Sequence, residues 1–135
     1  TLILGTVWAL WHLPVFFVDP RSSHGITDPV VLGGLVLLTA IGIVLYSFFY
    51  TWVYNNTGSV LLMMVLHGGF NTATVHLMPF ADEIVFGPTY TTLLLLQVSI
   101  LLVAVLILIV VTKGRLGYED QPSVEAPTED TAAVV

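Results

Sequence analysis

Cysteine is absent from the 135 residues, which rules out disulfides, a thiolate nucleophile and Cys-ligated zinc. It leaves the redox compartment open. Charge is nearly as scarce. Only 9% of the residues are charged, against about a quarter in ordinary soluble domains, while 56% are hydrophobic and the mean hydropathy is +0.96. So few charges could not cover the surface of a water-soluble fold, so the chain is an integral membrane protein in contact with lipid. Lys and Arg number three, too few to make the basic patch that nucleic acid requires. No basic region precedes the first apolar run, so that run does not read as a signal peptide. No internal repeat is present.

What remains is a series of apolar runs separated by turn chemistry. Leu2 to Val18 is the first, near the lower limit of the roughly 17–25 residues that span a bilayer. Pro14 within it removes one N–H and presses on the carbonyl of Leu10, which predicts a loosened or ending helix. Asp19 to Pro29 reads as a loop, and Val30 to about Trp52 as a second span. Gly33, Gly34, Ala40 and Gly42 would let neighbouring helices come close. Tyr46, Tyr50, Trp52 and Tyr54 crowd its far end as an interfacial aromatic belt does. Asn55-Asn56-Thr57-Gly58 reads as a tight turn and contains a formal Asn-x-Thr acceptor at Asn55. Ser59 to Met78 is the third span, Pro79 to Pro88 a loop with Asp82 and Glu83, and Thr89 to Val111 a fourth span read as lipid-facing scaffold. From Gly117 onward the composition is acidic and Pro/Ser/Thr-rich and predicts disorder.

The expected fold is therefore all-α: a polytopic transmembrane bundle of about four spans over residues 1–115, with a disordered acidic tail over 116–135. Lys113 and Arg115 place the C-terminus in the cytoplasm, with Arg21 as a lone counter-vote. Thr1 and the Asn55–Gly58 turn then share that side.

The apolar runs carry few polar groups, and each is expensive at lipid depth. His12 lies in the first, as WALWHLP. His67 and Asn71 lie in the third, four residues apart and so on one helical face. Counting from the starts of their runs, His12 and His67 are expected at similar depth. Gly68 and Gly69 would let a helix or substrate approach the histidine. Trp8, one turn before His12, can wall its imidazole from lipid. An imidazole can accept a proton, donate a hydrogen bond or bind a metal. An Asn amide can donate to a developing oxyanion without titrating. Such a set suits peptide or ester hydrolysis, with one group helping to activate water and others holding the tetrahedral oxygen. No carboxylate lies inside any span, so a strong base or third ligand is missing. His24 reads as a solvated loop residue and His76 as interfacial.

Trp8-Ala-Leu-Trp-His12, followed by Leu13-Pro14, resembles the FxxxH motif of the CPBP family of intramembrane proteases, with Trp for Phe. His67-Gly-Gly-Phe-Asn71 resembles the family's HxxxN motif. Trp52-Val-Tyr54-Asn-Asn-Thr57-Gly58-Ser59 is similar to the lead-in to that motif. The family includes the type II CAAX prenyl endopeptidases and the lysostaphin-resistance and bacteriocin-immunity (Abi) proteins. The resemblance covers about Thr1 to Met78. It implies an intramembrane endopeptidase acting on a membrane-embedded or lipid-anchored peptide or protein, in the plasma membrane of a prokaryote. It further implies His12, His67 and Asn71 as catalytic residues, with Trp8 and Gly68 in support. A glutamate from an EExxxR motif would activate water with His12, while His67 and Asn71 would stabilise the oxyanion. That motif is not found in these residues. The family places it before FxxxH, so the chain reads as a C-terminal fragment, inactive when expressed alone. If a metal is used, zinc on His12 and His67 is the candidate, although zinc sites usually take three protein ligands. Two other readings stand beside the protease: a non-catalytic scaffold or immunity protein of the same fold, and part of a proton- or metal-handling transporter.

Overall fold

The computed structural model describes residues 1–18, 26–76 and 88–119. Four helices and no strand are present among them: α1 (Leu2–Val18), α2 (Pro29–Thr57), α3 (Val60–His76) and α4 (Pro88–Val111). The chain is all-α, as expected. α2 and the stretch Thr91–Val111 of α4 are long and apolar enough to cross a membrane, while α1 and α3 are shorter apolar helices. His24, Arg21, Asp82, Glu83, the side chain of His76 and the tail from Asp120 lie outside the described residues.

α2 is the axis of the molecule. Asp28 caps its start, with Oδ1 accepting from the N–H groups of Val30 (2.8 Å) and Val31 (3.3 Å), and Pro29 occupies the first turn. The helix runs five residues past the expected end at Trp52. Asn56 and Thr57 donate their side chains back to the carbonyls of Trp52 and Val53, at 2.7 and 2.8 Å, and so extend the helix instead of turning the chain. Gly58 then closes it in the left-handed conformation (φ 61°), its N–H donating to the Tyr54 carbonyl at 2.7 Å. Ser59 Oγ accepts from the Leu62 N–H at 3.2 Å and starts α3, so the link between two helices is only Gly58 and Ser59.

The packing around α2 sets the directions of the other helices. α1 runs antiparallel to it: Thr1 Oγ1 donates to Thr51 Oγ1 at 3.1 Å, and Gly5 lies against Ser47 and Val44. α3 is also antiparallel, with His67 beside Tyr50 and Phe70 beside Tyr46. α4 is parallel to α2, from Gln97 on Tyr46 to the Leu116 carbonyl, which accepts from Asn55 Nδ2 at 2.9 Å. The close approach occurs at different glycines from those expected. A Cβ on Gly33 or Gly34 would meet nothing within 4 Å, whereas one on Gly42 would touch Val98 and one on Gly5 would collide with Ser47. Gly5 and Ala9, both buried, form a small-xxx-small face on α1.

Few of the described residues are buried: Gly5, Ala9, Leu35, Gly42, Leu45, Val105 and Leu116, with Ser47 the polar one. Large apolar side chains such as Ile3, Trp11, Leu61 and Val110 stand outward, which suits lipid and not water. Past α4 the chain folds back over the end of α2. Lys113, Gly114, Leu116 and Gly117 all have positive φ, Leu116 is buried, and the Asn56 amide fills the space a Gly117 side chain would need. The Asn55 amide is committed to Leu116, so the formal glycosylation acceptor is a packing residue.

Candidate active site

Trp8, His12, Tyr50, His67 and Asn71 are brought together from three helices. α1 continues unbroken through Pro14 to Val18, so the proline neither ends nor opens it. His12 turns its ring back along α1, and Nδ1 lies 2.9 Å from the Trp8 carbonyl oxygen. A carbonyl oxygen only accepts, so Nδ1 carries the proton. In the neutral ring Nε2 is left as a free base or ligand.

On α3, the Asn71 amide nitrogen lies 3.1 Å from His67 Nε2. With the amide donating, the proton of a neutral His67 is on Nδ1. The four-residue spacing has the effect expected of it, putting both groups at one spot. Gly68 and Gly69 have open space where a side chain would go, among the described residues.

The Trp8 indole is the common wall. Its centroid is 6.0 Å from that of His12, 5.4 Å from His67 and 5.5 Å from Tyr50, and Tyr50 is 6.2 Å from His67. The expectation of equal depth for the histidines needs correction. α1 begins beside Thr51, about two turns short of the end of α2, whereas α3 begins at that end. Equal counts along the two runs therefore do not mean equal depth. Trp8 stands level with His67, and His12 lies a turn beyond.

α1 and α3 meet through side chains. Among the described residues no Cα of α1 is within 8 Å of one in α3. The space between them is a groove of about 620 Å³. Thr1, Leu4 and Trp8 line one side, Ser47, Tyr50, Thr51 and Tyr54 the floor, and Met63, Met64 and His67 the other side. It is apolar apart from a few hydroxyls and ends at the His67 imidazole.

Tyr50 and Tyr46 were read as interfacial anchors. Both are half-buried, and Tyr50 walls the site while Tyr46 packs on Phe70 at 4.6 Å. The available signal was their spacing: 46, 50 and 54 fall on one helical face, toward one neighbour, where a membrane belt would ring the helix. Gln97, a polar amide within the apolar run of α4, bonds to the Tyr46 hydroxyl.

The described donors do not make a zinc site. They offer two imidazoles, one on each side of an indole, and no third ligand, since no group of three or more His, Cys, Asp or Glu side chains occurs among the described residues. The described carboxylates, Asp28 and Glu119, serve the cap of α2 and line a separate recess near Gly117.

Residues 1–73 match the family model described as type II CAAX prenyl endopeptidase, Rce1-like. The matched stretch takes in α1, α2 and α3 just past Asn71, and α4 lies outside it. No curated protein and no solved structure matches the chain. With more than half its length matched and an all-helical, lipid-suited exterior, the chain belongs to the Rce1-like family of type II CAAX prenyl endopeptidases, which are membrane-integral proteases.

Proposed function

We propose that residues 1–115 are the histidine-bearing part of an intramembrane endopeptidase that cleaves a membrane-embedded or lipid-anchored peptide lying in the groove between α1 and α3. The observation that carries this reading is the hydrogen-bonded His67–Asn71 pair at the inner end of that groove, with His12 on the far side of the same indole. His12 Nε2, opposite a ring nitrogen fixed by the Trp8 carbonyl, is oriented to take a proton from water. A carboxylate from the glutamate-pair motif that the family resemblance implies, outside the described residues, is the principal base. His67 Nδ1–H donates to the tetrahedral oxygen, and Asn71, bonded to the ring's other nitrogen, holds His67 in that donor tautomer. Four crossings fit the alternating directions of the helices: α2 and α4 run parallel, so α3 must carry the chain back.

The test uses the full-length protein, reconstituted in lipid, with a membrane-anchored peptide substrate. His67→Ala and Asn71→Ala are expected to lower kcat by about 10²–10³-fold each, the usual effect of losing an oxyanion donor. Cleavage at the parental rate in both variants would overturn the assignment. A non-catalytic scaffold of the same fold would show no cleavage in the parent.

A further inference from the structure

α4 reads as plain scaffold, yet it carries an amide side chain at a depth where a bare amide is costly. Gln97 is half-buried, and its Nε2 donates to the Tyr46 hydroxyl on α2 at 3.2 Å. The Tyr46 ring in turn rests on Phe70, with centroids 4.6 Å apart and planes at 56°. Phe70 directly precedes Asn71 and follows His67 by three residues. We propose that Gln97 and Tyr46 form a strut, running from α4 through α2 to Phe70, that positions the His67–Asn71 pair. The proposal rests on the hydrolytic reading above and adds two positioning residues to it.

The need for a strut follows from how α3 is held. Its backbone touches α2 only lightly and approaches neither α1 nor α4 among the described residues. Its rotation about its own axis is therefore set by side-chain contacts. Trp8 and Tyr50 bear on His67, and Tyr46 bears on Phe70 about a turn further along α3. A helix with side chains is about 10–12 Å across, so a turn of about 10° moves a polar tip by about 1 Å. A misplacement of that size can cost about 10²-fold in rate. Tyr46 can resist the turn only if its own ring is fixed, and the hydrogen bond from Gln97 fixes it. Tyr46, Phe70 and Gln97 do not line the groove, so they can affect the reacting geometry without touching bound substrate. Gln97 also lies outside the family-matched residues, so the strut joins the matched part of the chain to α4.

The experiment compares Gln97→Leu, Tyr46→Phe and the double variant in the full-length protein. Leucine suits an apolar span, and phenylalanine keeps the ring on Phe70, so folding is retained. Each single variant should lower kcat about tenfold with KM within about twofold, and the double should be no slower than the slower single, because both remove one bond. A second readout does not depend on activity. With Trp11→Phe, Trp52→Phe and His12→Phe, Trp8 is the remaining tryptophan, and His67 at 5.4 Å is the imidazole left beside it among the described residues to quench its emission. Gln97→Leu should brighten Trp8 as His67 turns away. If His67→Ala abolishes cleavage while Gln97→Leu and Tyr46→Phe cleave at the parental rate, the strut is wrong and the hydrolytic reading stands. If the parent does not cleave at all, that reading falls, and unchanged Trp8 quenching in Gln97→Leu would sink the strut as well. A double variant whose losses multiply would also overturn it.

Discussion

Replacing Gly5 with alanine tests whether the α1–α2 contact sets the geometry of the site. The added Cβ would sit 2.5 Å from Ser47 Oγ, 3.1 Å from Ser47 Cβ and 3.2 Å from Val44 Cα. Ser47 has little room to yield: it is 1% exposed and its hydroxyl donates to the Val44 carbonyl at 2.6 Å. Carbon contacts are comfortable at about 3.5–4.0 Å, so α1 must withdraw by roughly 0.5–1 Å. Two effects oppose each other in stability. Alanine favours helix over glycine by about 1 kcal/mol, and overpacking costs about 1–3 kcal/mol. The net is a loss of up to about 2 kcal/mol, too little to unfold the chain. Activity should suffer more. Trp8 is three residues from Gly5, and an indole displaced by that much no longer meets His67 as it does. A displacement near 1 Å predicts a fall in kcat of about 10–10²-fold. The assay is cleavage of an anchored peptide by the full-length protein, beside an unfolding titration in detergent. Gly5→Ala with Ser47→Gly removes both Ser47 atoms from the clash, leaves Val44 Cα at 3.2 Å, and should recover most of the rate. A Gly5→Ala protein as fast and as stable as its parent would refute the reasoning. So would a double variant no faster than the single.

Three further outcomes follow. Gly117→Ala should destabilise by about 1–2 kcal/mol, since φ is 78° and the Asn56 amide occupies the side-chain position. Asn55→Ala, which loses the bond to the Leu116 carbonyl, should cost about 1 kcal/mol. Unfolding midpoints check both, and cleavage rates should stay near parental. A chelator should leave the rate unchanged, because the described donors stop at two imidazoles separated by Trp8. A loss restored by zinc would reveal ligands outside the described residues.

The architecture was legible where one physical rule dominated. Scarce charge and long apolar runs gave the helices and their lipid-suited exterior. The four-residue spacing gave the His67–Asn71 pair. Boundaries failed where side chains redirected the backbone: Asn56 and Thr57 look like turn formers, yet they bond back to their own helix and lengthen α2. Interhelical register was not legible, since it depends on where Thr1 meets Thr51. For that reason His12 was placed level with His67 when Trp8 holds that place. Tyr50 was misread because aromatic residues near a span's end have a common lipid-anchoring role. Its half-burial against Trp8 and His67 is a property of the assembled bundle.

The groove also bears on how hydrolysis can occur inside a bilayer. Its outer end is at Thr1 and Tyr54, near the α2–α3 link, and its inner end is at His67. Along α3, His67 is about 10 Å from the first helical residue, roughly a third of the way into a hydrocarbon core of about 30 Å. Water reaching His67 therefore crosses only that third, past the hydroxyls of Thr1 and Thr51, which can hand it inward. His12 lies a turn further in, so the depth of Trp8 would set how far water must penetrate and where along an anchored chain the bond is cut.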